Sequence, residues 1–138
     1  MKHIIEKKSC SFIGNLEMSF DETLETQNKI DNLLEDLIIK KKCKHFILSS
    51  LKGFNGVAYK QLYGHQQKHP EITLGNVFDC IDYPIGNIPF SVKLEFIYRV
   101  LIDQSDLVVF DLKKKSEEAV FSAYEYAQSK KKEIIILQ

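Results

Sequence analysis

Apolar positions along this chain switch repeatedly between a period near two and a period near 3.6, the mark of strands alternating with helices. Residues Lys8–Ile13 read as a short strand ending at Gly14. Beyond it, Ile30, Leu33, Leu34, Leu37 and Ile38 recur at i, i+3, i+4, i+7 and i+8, one face of a helix. Ser19 and Glu22 have the capping-box spacing that starts such a helix. Lys40, Lys41 and Lys42 fall near its end, where the helix dipole favours cations, and read as a solvated terminus. The run 45–50, HFILSS, predicts a buried strand and leads into a loop carrying Gly53 and Gly56. A helix follows over about 57–69 and stops before Pro70. Residues 72–78 predict a third strand, interrupted by Gly75. Residues 79–90, with Pro84, Gly86 and Pro89, form an irregular connection of the length at which loops often act as lids. Leu94, Ile97, Tyr98 and Leu101 give another helical face. The run 106–112 is the clearest strand, followed by a helix over 117–130 and a last strand over 133–137.

This alternation predicts a single α/β domain over residues 1–138, Rossmann-like, with a five-stranded, mostly parallel sheet covered by helices on both faces. Sheets of this type bind ligands outside the carboxyl ends of the strands, where strand order reverses. The loops 14–20, 49–56 and 111–118 therefore compete for the site.

Composition narrows the function classes. With 138 residues and 44% hydrophobic content, the chain can bury a core without disulfides or metals. Nineteen basic residues balance nineteen acidic ones, so neither nucleic acid nor a membrane surface is an expected partner. Arg99 is the single arginine, so any bidentate phosphate clamp would have to use it. Cys10, Cys43 and Cys80 are widely spaced and include no Cys-x-x-Cys pair, which fits reduced cysteines in a cytoplasmic protein. Residues 1–8 contain no apolar run of signal-peptide length, and no stretch approaches a membrane span. His65 and His69 share a helix face at i, i+4, but the sequence offers no evident third ligand. Neither a metal nor a cofactor is expected.

Phe12-Ile13-Gly14-Asn15-Leu16 follows the first strand, and Ser49-Ser50-Leu51-Lys52-Gly53-Phe54-Asn55 follows the second. In these strand-end loops the chain resembles the SLOG superfamily, named for the Smf/DprA and LOG proteins, a likeness that runs from about Ser9 to Leu137. It continues in Leu101-Ile102-Asp103-Gln104-Ser105-Asp106 and in the closing Glu118-Ala119-Val120, helix and strand. The resemblance implies a Rossmann-like fold that binds nucleotides or nucleotide-derived signals. Some relatives cleave an N-glycosidic bond, and others sense nucleotide ligands in bacterial defence systems. The departures are specific. Asn15-Leu16 replaces the family's His-Arg, Asn55 replaces an aspartate, and the phosphate-cradling Gly-Thr is missing. Ile97-Tyr98 stands where relatives carry Arg-Asn.

The second loop is the best anion site in this reading. Gly53 and Gly56 expose backbone amides at a helix start, Ser49, Ser50 and Asn55 offer neutral hydrogen bonds, and Lys52 adds charge. A glycine turn with Asn55 as helix cap is the plainer account of the same residues. In the fourth loop, Ser116 suits an N-cap and Glu117 and Glu118 fall in the first helical turn, which discourages phosphate there. Those carboxylates suit ribose hydroxyls, or acid, base or nucleophile duty in glycosidic chemistry; as first-turn acids they also suit a solvated helix start. Asp111 ends the strongest strand and should face the crevice; Asp79, Asp82, Tyr83 and Phe90 belong to the possible lid. The expected function is non-catalytic binding, by sensing or sequestration, of a small nucleotide-derived signal such as an ADP-ribose-type or cyclic nucleotide. The expected ligand set is Gly14, Asn15, Ser49, Ser50, Lys52, Gly53, Asn55, Asp111 and Glu118. The alternatives are a nucleotide N-glycosidase or phosphoribohydrolase-like enzyme using Glu118 or Glu117, and a ligand-free adaptor whose crevice is filled by its own side chains. A homo-oligomer, a dimer or higher, is expected by analogy with related α/β domains.

Overall fold

The computed structural model describes residues 8–49, 52–81 and 89–138. Strands β1 (Lys8–Ile13), β2 (Cys43–Leu48), β3 (Thr73–Asn76), β4 (Leu107–Phe110) and β5 (Glu133–Ile136) alternate with helices α1 (Phe20–Glu35), α2 (Gly53–His65), α3 (Phe90–Asp103) and α4 (Glu118–Ser129). The strands form one sheet in the order β3-β2-β1-β4-β5, and every neighbouring pair is parallel. The α/β, Rossmann-like reading is thus observed.

Strand periodicity divides the core in two. Cys10, Phe12, Phe46, Leu48, Leu107 and Val109 point to one face, where Ile30 and Leu34 of α1 and Phe54, Ala58 and Leu62 of α2 cover them. Ile13, Ile47, Val108 and Phe110 point to the other, under Ile97, Tyr98 and Leu101 of α3 and Val120, Ala123 and Ala127 of α4. Each large apolar side chain so buried contributes roughly 1.5–3 kcal/mol. Sheet register aligns Phe12 with Val109 and Cys10 with both Phe46 and Leu107, so these layers stack in phase.

The capping box forms as expected: Ser19 Oγ accepts from Glu22 N at 3.1 Å, and Glu22 Oε1 accepts from Ser19 N at 3.3 Å. Other boundaries differ from the sequence reading for local reasons. The second helix begins at Gly53 and ends at His65, four residues earlier at each end than 57–69. Gly53, at φ +61°, lets the chain turn directly into the helix, and Phe54 is fully buried as its anchor. The third strand stops at Asn76, whose side chain accepts from Phe78 N at 2.9 Å and diverts the backbone into a 3-10 turn, Val77–Cys80. Ser116 is not the cap of α4. Its Oγ closes the preceding loop by accepting from Lys113 N at 2.7 Å, and Glu117 takes the N-cap position.

Candidate functional site

Winding direction reverses between β1 and β4, so the switch-point crevice lies between the loops 14–19 and 111–117. Gly14, Asn15, Asp111 and Glu117 meet there. Asp111 is 6% exposed; its backbone N–H donates to Ile13 O at 3.0 Å, and its carboxylate pairs with Lys113 at 3.3 Å.

The floor of the crevice is closed by the chain's own groups. Asn15 Oδ1 accepts from Glu117 N at 2.8 Å. The Glu117 carboxylate turns back and accepts from Leu16 N at 3.0 and 3.1 Å and from Glu17 N at 3.2 Å. Two successive amides presented to one anion form a nest, the arrangement that elsewhere receives phosphate. Here a side chain occupies it. Glu117 is therefore half of a reciprocal clamp between the first and fourth loops, and the first-turn position read for it is corrected to N-cap.

The second-loop residues separate into different environments. Gly53 packs so closely on the first loop that a Cβ would stand 2.3 Å from Asn15 O. Phe54 N donates to that same carbonyl at 2.9 Å, so one amide of the expected cradle is used internally. Asn55 is 1% exposed and joins the ends of two strands. Its Nδ2 donates to Phe12 O at 2.7 Å and its Oδ1 accepts from Ser49 N at 3.0 Å. It neither caps α2 nor faces a cleft. Ser49 is likewise buried. Ser50, Asp82 and Tyr83 lie outside the described residues.

Surface clefts flank the clamp. One of about 550 Å³ opens over the switch point and is lined by Asn15, Glu17, Glu22, Glu25 and the lysines Lys113, Lys114 and Lys115. Another, of about 380 Å³, lies between α1 and α2 beside Lys52, Gly53 and Lys60. Glu118 belongs to neither; it lines a groove of about 320 Å³ between α3 and α4 with Ser91, Glu95 and Ser122. The lysines carry local counter-charges: Lys113 meets Glu22 at 3.2 Å, and Lys52 meets Glu17 at 2.6 Å. Partial burial lowers the Lys113 ammonium pKa, but Asp111 and Glu22 outweigh it and leave the net shift upward. Lys52 is also held upward by its hydrogen bond to Glu17 and that carboxylate's charge.

Ile97 and Tyr98, which the sequence resemblance set against an Arg-Asn pair, are structural in this chain. Both are buried, and the Tyr98 hydroxyl donates to Gly14 O at 3.3 Å. Burial, reinforced by the charge of Glu117, raises the phenol well above its ordinary pKa, so it serves as a donor. Arg99 points away from the crevice, pairing with Glu95 at 3.2 Å and lying 5.1 Å from the Tyr126 ring centroid.

One cluster escaped the sequence reading. His65 and His69 do have a third neighbour: Glu35, the last residue of α1, reaches both imidazoles. The pairing is invisible in sequence because it bridges two helices.

These features define a parallel, doubly wound Rossmann-like domain with a cleft over a self-bonded switch point. Among solved structures, the chain is similar to DNA processing protein A (DprA) from Streptococcus pneumoniae, with a TM-score of 0.61 at 12% identity. The match covers 94% of this chain and 50% of that one, so the chain spans half the length of that protein. At that identity the likeness is one of fold. No protein family and no curated protein matches the sequence. No helix of the described residues is long and apolar enough to cross a membrane.

Proposed function

We propose that this domain binds, without chemical turnover, a small nucleotide-derived anion such as an ADP-ribose-type or cyclic nucleotide in the cleft over the switch point. The observation that carries the reading is the space of about 550 Å³, at the place where this fold class holds its ligands, in which Lys113, Lys114 and Lys115 stand with Asn15 beside Glu17, Glu22 and Glu25. Of the ligand set expected from sequence, Asn15 lines this cleft, and Lys113, Lys114 and Lys115 are additions to it. Ser49 and Asn55 support it from within. Loss of turnover is favoured by the state of the carboxylates: Glu117 is bonded to backbone amides and Asp111 is paired with Lys113. The similar solved structure is a DNA processing protein, but the balanced charge of this chain favours a small ligand over a polyanion.

A panel of nucleoside monophosphates, ADP-ribose and cyclic nucleotides in a thermal-shift assay tests this reading, because saturating ligand must raise Tm. Stabilisation by one of them, weakened several-fold by Lys114→Gln/Lys115→Gln, is the expected result. No stabilisation at millimolar concentration overturns it. Chromatography after incubation should recover the ligand intact; a released base would establish the glycosidase alternative instead.

The Asn15–Glu117 clamp favours a second reading, a ligand-free adaptor, since it fills the crevice floor with the chain's own groups. That reading predicts no Tm response to any member of the panel.

A further inference from the structure

We propose that Glu35, His65 and His69 form a binding site for a divalent transition metal of the zinc class, stapling the carboxyl-terminal ends of α1 and α2 together. The site lies at the amino-terminal edge of the sheet, away from the ligand cleft, and is independent of the reading above.

His65 provides the first argument. Its ring is 7% exposed, and its Nε2 lies 2.7 Å from Asp31 Oδ1. A carboxylate only accepts, so Nε2 donates to Asp31, and in the neutral imidazole Nδ1 is then the nitrogen that can bind an ion. That Nδ1 is buried and has no hydrogen-bond partner, although Glu35 Oε1 lies 3.1 Å away, out of line for a hydrogen bond. A buried nitrogen beside a carboxylate, with no hydrogen bond between them, is satisfied by a cation that both groups share.

The spacing suits such a cation. Donors about 2.0–2.1 Å from a tetrahedral zinc stand roughly 3.4 Å apart. Glu35 Oε1 is 3.1 Å from His65 Nδ1 and 3.4 Å from His69 Nε2. Ligand atoms of all three residues lie within 4.8 Å of one another, and the two imidazoles stack at an interplanar angle of 7°.

Glu71 stands 3.6 Å from His69 Nδ1, beyond hydrogen-bond reach, but His65 has a carboxylate bonded to its other nitrogen, Asp31 on Nε2 at 2.7 Å. That outer carboxylate fixes the tautomer and raises ligand basicity in metal-bound histidines. Finally, His65 ends α2 and His69 lies just after it, so the carbonyl end of that helix dipole adds negative potential. Two imidazoles and one carboxylate with an open fourth position match a borderline-soft ion rather than calcium or magnesium.

The test uses the whole chain, stripped with a chelator and titrated with Co²⁺, then with Zn²⁺ in competition. One Co²⁺ per chain, the visible absorption of a four-coordinate nitrogen–oxygen site, displacement by Zn²⁺ and a raised Tm are expected. Glu35→Gln and His69→Gln, both at partly exposed positions, should each abolish the absorption while far-ultraviolet circular dichroism stays unchanged. Asp31→Asn, acting only through His65, should weaken binding by about 10–100-fold. No saturable binding at micromolar metal overturns the proposal. So does binding that survives both ligand substitutions, or a thiolate charge-transfer band placing the ion on cysteine.

Discussion

Asn15 and Glu117 hold each other across 102 positions of chain: Asn15 Oδ1 accepts from Glu117 N at 2.8 Å while the Glu117 carboxylate binds the amides of Leu16 and Glu17. The first and fourth loops of the fold are thereby one unit. Substituting either residue should loosen both.

Glu117→Ala leaves two loop amides without their acceptor and should cost about 1–3 kcal/mol of unfolding free energy. Asn15→Ala should cost a similar amount, and the double substitution less than the sum, because the pair shares one network. Urea denaturation of the four proteins measures the coupling. Additive losses would show that the two residues act separately.

Asn55→Ala removes a buried donor and acceptor and orphans Phe12 O and Ser49 N, with an expected loss of about 2–4 kcal/mol. Asn55→Asp sets a carboxylate oxygen against the Phe12 carbonyl. Its folded-state pKa should therefore rise, so the variant recovers stability as pH falls and loses it as pH climbs through that value. Tm measured against pH checks the sign.

Two glycines should respond oppositely to alanine. Gly53→Ala forces a Cβ onto Asn15 O at a left-handed φ and should destabilise by more than about 2 kcal/mol. Gly64 sits within α2 with nothing inside 4 Å of an added Cβ, so Gly64→Ala should stabilise by about 0.5–1 kcal/mol. Thermal and urea unfolding of each variant provide the comparison.

At the other end of the sheet, Lys41 at 2.6 Å and Lys8 at 3.2 Å hold the Glu133 carboxyl below the ordinary carboxylate range. A depressed folded-state pKa contributes stability above the unfolded value, near 4.3, that is lost as pH falls through the folded one. Glu133→Gln should therefore flatten the acid limb of Tm against pH below about 4.3, and high salt should shrink the difference between the two proteins. An unchanged acid limb would show that these lysines do not hold the carboxylate in solution.

The sequence by itself determined the order of strands and helices, the two-faced sheet and the capping box at Ser19. Each of these follows from periodicity or from groups within a few positions of one another. It also placed Gly14, Asn15, Asp111 and Glu117 at strand ends, where the fold brings them together. Tertiary structure alone decided what those residues do. Glu117 reads as a solvated or catalytic first-turn acid until the first loop presents its amides to it. Asn55 reads as a ligand or a cap until β1 and β2 claim both ends of its side chain. His65 and His69 read as a pair until α1 delivers Glu35 from the next helix. In every case the partner is distant in sequence, and a buried polar group takes its role from the partner that satisfies it.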